Sequence, residues 1–391
     1  METAATQAVV DSRQAEVLYM AFELGRKKWK LGFSTGLGQK ARQRNIAGGD
    51  VQAVRAEIEA ARRRFGMSEQ ARVVSCYEAG PDGFWLHRWL VAQGVENVVV
   101  DSASIEVNRR QRRAKSDGLD VQALLTLLMR HTLGERRVWS VVRIPAPEIE
   151  DVRQLHRELA TLTEERTRIR NRVRGLLAVQ GVGVQRWAKL RAQFETMRLW
   201  DGAALGTHLR QRLEREVDRL EVVDRQIGAI RKRMEADLQE AARAGSPAAM
   251  MQRLVELRGI GTQGARVLVM ELFGWRQFQN RREVGGAMGL TPTPYQSGDS
   301  CHEQGISKAG NVWVRRVAIQ IAWGWVHWQP NSELSQWFTR RFATGGRRQR
   351  RVGIVALARK LMIALWRYAH GAPAPTGAIL GKVGTYVLKA A

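Results

Sequence analysis

The spacing of hydrophobic positions changes twice along this chain. Short apolar runs dominate the first hundred residues: 17–23 (VLYMAFE), 29–35 and 40–46 read as three strands, the first two joined by the turn Gly25-Arg26-Lys27-Lys28. Val51, Val54, Ile58, Ala61 and Phe65 then recur at helical spacing, with arginines on the opposite face. A strand over 72–78 (RVVSCYE) ends in an acid, Gly80-Pro81-Asp82-Gly83 turns the chain into a helix through Trp89 and Leu90, and 96–101 (ENVVVD) is a further strand. A helix opens at Asp117 and is apolar from Val121 to Met129. From 151 to 243 the period lengthens. Leu155, Leu159, Leu162, Ile169, Val173 and Leu176 step by threes, fours and sevens, as do Leu213, Val217, Leu220, Ile227, Met234 and Leu238. Both series predict long amphipathic helices, an antiparallel or intermolecular coiled coil interrupted by the glycine-broken stretch 180–207. The density of Arg166, Arg168, Arg170, Arg172 and Arg174 favours an arm for dimerisation and nucleic-acid support over a plain helical hairpin.

Beyond residue 246 helical patterns return. Gly259-Ile260-Gly261 between apolar pieces is either a helix-hairpin-helix, whose backbone amides hold a phosphate, or a plain turn. Residues 289–311 form a glycine-rich polar loop, residues 344–351 (TGGRRQRR) a basic loop, and residues 352–366 a buried helix; the tail after Gly371 is irregular. Trp313, Trp323, Trp325, Trp328 and Trp337 lie on helical segments, most for core or interface packing, with one or two available to stack on bases.

The first part has the order β-β-β-α-β-α-β-α, which matches a ribonuclease H-like layout, a mixed sheet with helices on its faces. There, acids on the first strand, at the end of the fourth strand and on the last helix converge. Those places hold Glu23, Glu78, and Asp117 with Asp120. Asp117 and Asp120, three apart, share a helix face and repel unless a cation lies between them; a divalent metal takes such oxygen ligands. The plain alternative for the pair is a helical first turn whose acids the macrodipole favours. The segment just before, 109–115 (RRQRRAK), is basic, and acids for a metal beside bases for a polyanion suggest phosphodiester chemistry. Ser297, followed by Gly298, reads as a nucleophile or as a turn residue.

Charge narrows the partner. The 391 residues carry 63 Lys and Arg against 38 Asp and Glu, a net +25, which calls for a polyanion, nucleic acid before membrane. No run of about 20 apolar residues predicts a membrane span, and residues 1–16 lack the pattern of a secretory signal. Cys76 and Cys301 alone make neither a disulfide framework nor a zinc module. The expected location is the cytoplasm. The expected organisation is multidomain: a tail (1–15), a mixed α/β metal-binding domain (16–145), a helical coiled-coil region (146–245), a mostly helical C-terminal domain (246–372) and an irregular tail (373–391).

The segments KSDGLD, YEAGPDGF and QSGDS…GISKAGN resemble those of the DEDD-type transposases of bridge-RNA-guided insertion sequences, relatives of the Piv-like DNA invertases. The resemblance covers roughly residues 17–370, in the family's order of parts. It implies a RuvC-like domain whose acids, here Glu23, Glu78, Asp117 and Asp120, hold magnesium or manganese. It further implies a serine, here Ser297, that attacks DNA and forms a covalent phosphoserine; Ser307 matches the neighbouring Ile-Ser-Lys segment. Lys308 and Asn311 are candidates for positioning phosphate. A homo-oligomer and a non-coding guide RNA are the implied partners besides DNA. One position departs: the family's first acid is usually Asp, and Glu23 is one methylene longer. The alternatives are a Piv-like invertase or a junction nuclease in which water attacks.

Overall fold

The nearly continuous apolar run VLYMAFEL makes β1 (Val17–Leu24) a strand buried on both faces, around which the first sheet is laid. The structure is a computed structural model describing residues 16–81, 83–105, 117–184, 186–239, 245–297 and 300–381, with backbone alone for 103, 117, 294–297 and 300–304. β2 (Lys28–Ser34) returns antiparallel beside β1, and β3 (Arg42–Ala47) adds antiparallel to β2. β4 (Arg72–Glu78) and β5 (Glu96–Val100) run parallel on the other side of β1, giving the order β3-β2-β1-β4-β5. Parallel neighbours need crossovers, and α1 (Val51–Phe65) and α2 (Trp85–Ala92) supply them. Asp50 caps α1 by accepting the Ala53 N–H, and Gly66 ends it in the left-handed conformation. Period-two alternation sends Leu18, Met20 and Phe22 to one face, against Val54, Ile58, Leu86 and Leu90. It sends Tyr19, Ala21, Val74 and Cys76 to the other, against Val121, Leu124, Leu125 and Leu128 of α3 (Asp117–Thr132). The order of elements is the one that the hydrophobic spacing predicts.

The chain divides into two units, Met1–Ile144 and Pro145–Ala391. In the second, α4 (Pro147–Ala178) and α6 (Thr207–Gln239) are each other's antiparallel partners within the chain. Leu159, Leu162 and Ile169 pack with Leu220, Val223, Ile227, Ile230 and Met234. At the far end Val173, Leu177, Leu213 and Val217 enclose Leu190 of the short α5 (Leu190–Gln193), Phe194 and Leu205. The arginine crowd on α4 is largely engaged inside this hairpin. Arg166 and Arg170 face Asp224 at 3.6 and 3.4 Å, Arg172 meets Glu216 at 2.8 Å, and Arg170 and Arg174 lie over Trp187. The charge argument for a nucleic-acid arm therefore weakens.

The remaining elements are α7 (Pro247–Glu256), α8 (Thr262–Leu268) running into a π-helical turn Val269–Phe273, α9 (Arg281–Ala287), β6 (Pro292–Ser297), β7 (Ser300–Ile306), α10 (Val312–Trp328), α11 (Glu333–Phe342) and α12 (Arg347–Ala369). α12 is central: Leu357, Leu361 and Leu365 pack in one core with Trp325, Leu254 and Phe273. Three expectations change. The polar stretch 289–311 contains a two-stranded hairpin, which its prolines and small residues conceal at the sequence level. The basic stretch read as a loop supplies the first turns of α12, since arginine is a good helix former once Gly345-Gly346 is passed. Residues 373–381 are tied down: the Arg258 N–H and Gln329 Nε2 donate to the Ile379 carbonyl, and the Gly381 N–H donates to that of Glu256. Nor does the hairpin stand apart from the C-terminal helices, because Arg266 of α8 donates to Asp237 of α6 at 2.9 Å. No described helix is long and apolar enough to cross a membrane.

Candidate functional site

Glu23, next to last in β1, and Glu78, last in β4, lie at the same end of the sheet. The parallel register pairs Phe22 with Tyr77, so the next residue on each strand is an acid, at the same end of the sheet. Both continue the alternation that faces α3, after Tyr19 and Ala21 on one strand and Val74 and Cys76 on the other. The Cys76 thiol reports this placement: burial pushes its pKa well up, and the Glu78 carboxylate adds to the shift. Asp120, half-buried, lies one turn before Leu124, which packs on the sheet. Asp117 opens the helix; its side chain lies outside the described residues.

The first turn of α3 is docked by its glycine. Gln43 Nε2 donates to the Gly118 carbonyl at 2.9 Å, and a Cβ at 118 would stand 3.0 Å from Gln43 Oε1 and 3.5 Å from Lys30 Nζ. Lys30 is also the cross-strand partner of Glu23, so an ammonium accompanies the acids and offsets part of their repulsion. Gly32 allows the same approach further along, where a Cβ would overlap Val121. Carboxylate oxygens are the donor type that suits a hard divalent cation. Among the described residues no three acidic, histidine or cysteine side chains are grouped closely enough to hold an ion. The side chain of Asp117 is not among them.

Ser297 belongs to the other unit. It is the last residue of β6, paired with Ser300 across residues 298–299, and its side chain lies outside the described residues. Ser307 follows the opposite end of the hairpin, where Pro292 pairs with Ile306. Six residue steps, from 297 back to Thr291 beside Ser307, at about 3.3 Å put the two serines roughly 20 Å apart along the strands, so they are distinct positions. The base is held rigidly. The Ser307 and Lys308 N–H groups donate to the carbonyls of Thr291 and Gly289, and a Cβ on Gly310 would reach within 2.5 Å of the Ala287 carbonyl oxygen. Lys308 has φ of 56°, a left-handed conformation costly for a residue with a Cβ.

Asn311 ties this base to a buried carboxylate. Its Oδ1 accepts the Val314 N–H, capping α10, while its Nδ2 donates to Glu271 Oε2 at 2.9 Å. Asn311 is thus used structurally on both sides of its amide. Glu271 sits in the π-helical turn with no exposed side chain. It also accepts from His156 Nε2 at 2.9 Å and from Arg157 through Nε at 2.7 Å and Nη2 at 3.0 Å. Arg153, which donates to the Met270 carbonyl, lies 3.9 Å away. Burial alone would raise the Glu271 pKa. The hydrogen bonds from His156 and Arg157, the Arg157 charge and the Asn311 bond outweigh it and hold the carboxyl well below the usual range. Sequence reasoning missed this node. Its available signals were an acid inside the apolar run VLVMELF, and charged residues at 153 and 156 on the stripe that continues to Leu159.

Residues 251–336, from α7 through α11 and including Glu271, Ser297 and Asn311, match the model of the transposase IS116/IS110/IS902 family. The chain is 42% identical over 379 residues to "Putative transposase y4rJ" of Sinorhizobium fredii, covering 93% of this chain and 94% of the relative. It is 26% identical over 259 residues to the transposase for insertion sequence element IS1328 of Yersinia enterocolitica, with 64% and 71% covered. It is 29% identical over 212 residues to the transposase for insertion sequence element IS1111A of Coxiella burnetii, with 53% and 54% covered. Similarity across nearly the whole of the first relative sets the class, DNA-recombining enzymes of insertion sequences. Within it, the chain belongs to the IS116/IS110/IS902 family of transposases.

Proposed function

We propose that this transposase cuts and rejoins DNA through a covalent phosphoserine at Ser297, assisted by magnesium, or manganese, at Glu23, Glu78, Asp117 and Asp120. The observation that carries the reading is that Glu23 and Glu78 directly follow the paired Phe22 and Tyr77 at one end of parallel strands, on the face where α3 docks. The first unit is then an RNase H-like, RuvC-like domain. Its sheet, antiparallel on one side of β1 and parallel on the other, supports that assignment.

Phosphoryl transfer needs a nucleophile, alignment and charge neutralisation. The Ser297 hydroxyl forms an Oγ–P bond as the phosphorus–sugar oxygen bond breaks, and the proton lost by the serine balances the one gained by the leaving oxygen. One ester replaces another, so rejoining needs no nucleoside triphosphate. The metal would neutralise charge developing on the phosphoryl oxygens. The rigid hairpin base at Gly289, Gly310 and Asn311 supports the strand that carries the nucleophile. In this reading the protein acts as a homo-oligomer, one subunit's acids serving another's serine, and a non-coding RNA selects the DNA; the excess of basic residues accords with both nucleic acids.

The test is a covalent-adduct assay with the full chain, magnesium, element-end DNA and RNA transcribed from the element's flank. A protein–DNA band lost in Ser297→Ala and Asp117→Ala, and kept in Ser307→Ala, supports the reading. Cleavage without a band that persists in Ser297→Ala identifies a water-using nuclease. Normal recombination by nuclease-treated protein without RNA removes the guide.

A further inference from the structure

The corner between α11 and α12 carries charge that nothing nearby among the described residues answers. After Glu333 the sequence contains eleven Lys and Arg and no Asp or Glu. Arg340 and Arg341 end α11, and Arg347, Arg348, Arg350 and Arg351 begin α12; all six are exposed. Among the described residues none of the six has an acidic partner. Some exposed arginines elsewhere do: Arg191 meets Asp218 and Glu221, and Arg172 meets Glu216.

The arrangement works against the fold that holds it. Four guanidinium groups crowd the positive end of a helix dipole, with no acid in the first turn and no side-chain cap. Buried positions of α12 begin only at Gly353, so the arginine turn projects clear of the core. The corner itself is stiff. Phe342 lies so close to Gly353 that a Cβ there would overlap its ring, and it stacks on Phe338 at 6.0 Å. Such a rigid, uncompensated display is relieved by a polyanion, and guanidinium groups match phosphate oxygens bidentately.

We propose that this corner is a docking surface for the sugar-phosphate backbone of duplex DNA. Duplex is favoured over unpaired strands because the corner offers no stacking platform. Phe338 is buried, Phe342 is half-buried against Gly353, and Trp337 lies under the Lys360 ammonium at 4.8 Å. The inference does not rest on the serine chemistry.

The experiment is an anisotropy titration of the full chain with a labelled duplex of arbitrary sequence, across salt from about 50 to about 200 mM. Replacing Arg347, Arg348, Arg350 and Arg351 together by Gln should lower the slope of log affinity against log salt by about 3.6, at about 0.9 per phosphate contact. The parent should accordingly lose about 100-fold more affinity than the variant over that range. Neutralising Arg212, Arg215, Arg225 and Arg231 of α6 in the same way should leave the slope in place. The corner variant should melt no lower than the parent, since charges opposing a helix dipole are removed. If it fails to fold, Arg340→Gln with Arg341→Gln gives the same readout, with a slope lower by about 1.8. An unchanged slope in the corner variants, an equal drop in the α6 variant, or a loss confined to single-stranded RNA each overturns the proposal.

Discussion

Glu271→Gln tests whether the buried node holds the second unit together. The substitution preserves shape but removes the charge and replaces one accepting oxygen by a donor. Every neighbour is itself a donor: His156 and Arg157 face Oε1, and Arg157 and Asn311 face Oε2. Whichever way the amide turns, donors meet donors, and the buried Arg153 loses the Glu271 counter-charge 3.9 Å away. Removing one member of a buried pair costs about 3–5 kcal/mol. The Arg157 side chain is 37% exposed and regains water, which points to the lower end. At about 2–4 °C per kcal/mol for a unit of this size, a loss of about 3 kcal/mol lowers its melting temperature by about 6–12 °C. Calorimetry of the full chain, with urea unfolding as a second measure, reads this directly. The sign of the pH dependence is also fixed. Folding depresses the Glu271 pKa, so its contribution is complete above the ordinary carboxylate range and erodes as pH falls below it. Parent and variant stability curves should therefore converge in acid. A loss under about 1 kcal/mol, or curves that stay parallel in acid, would refute the reasoning.

Two further perturbations probe other elements. Gly32→Val fills space that Val121 already occupies, forcing α3 away from β2 and shifting the Asp117–Asp120 turn. The overpacking costs about 1–3 kcal/mol, and adduct formation should require more magnesium although no acid is altered; unchanged magnesium dependence would count against the placement. Tyr368 donates to Glu256 at 2.9 Å, and burial, then that hydrogen bond, pushes its pKa up to about 12. Folding thus raises the pKa, so this contribution is intact below about 10 and is lost as pH rises from there through the folded value. Ultraviolet titration of phenolate and alkaline unfolding should show that slope in the parent and not in Tyr368→Phe.

The sequence by itself determined the local periods and, through them, which residues share a face. The two-residue period of a strand puts Tyr19, Ala21 and Glu23 on one side of β1 and Val74, Cys76 and Glu78 on one side of β4, but both runs are buried nearly throughout, so which side faces α3 was decided by the fold. The close approach of Gly118 in KSDGLD to Gln43 and Lys30 is revealed only by the fold. The α4 and α6 heptads fixed two long helices, but their pairing within the chain was decided by where Asp224 and Glu216 meet the arginines of α4. Tertiary structure alone decided the Glu271 node. Its carboxylate lies 115 residues from His156 in sequence, and a buried acid is tolerable only when distant donors arrive together. The same holds in reverse for the arginine corner, which the sequence marks as basic but which only the fold presents as an exposed helical turn clear of the core. Periodicity is a property of neighbours along the chain, whereas charge compensation depends on which elements meet in space.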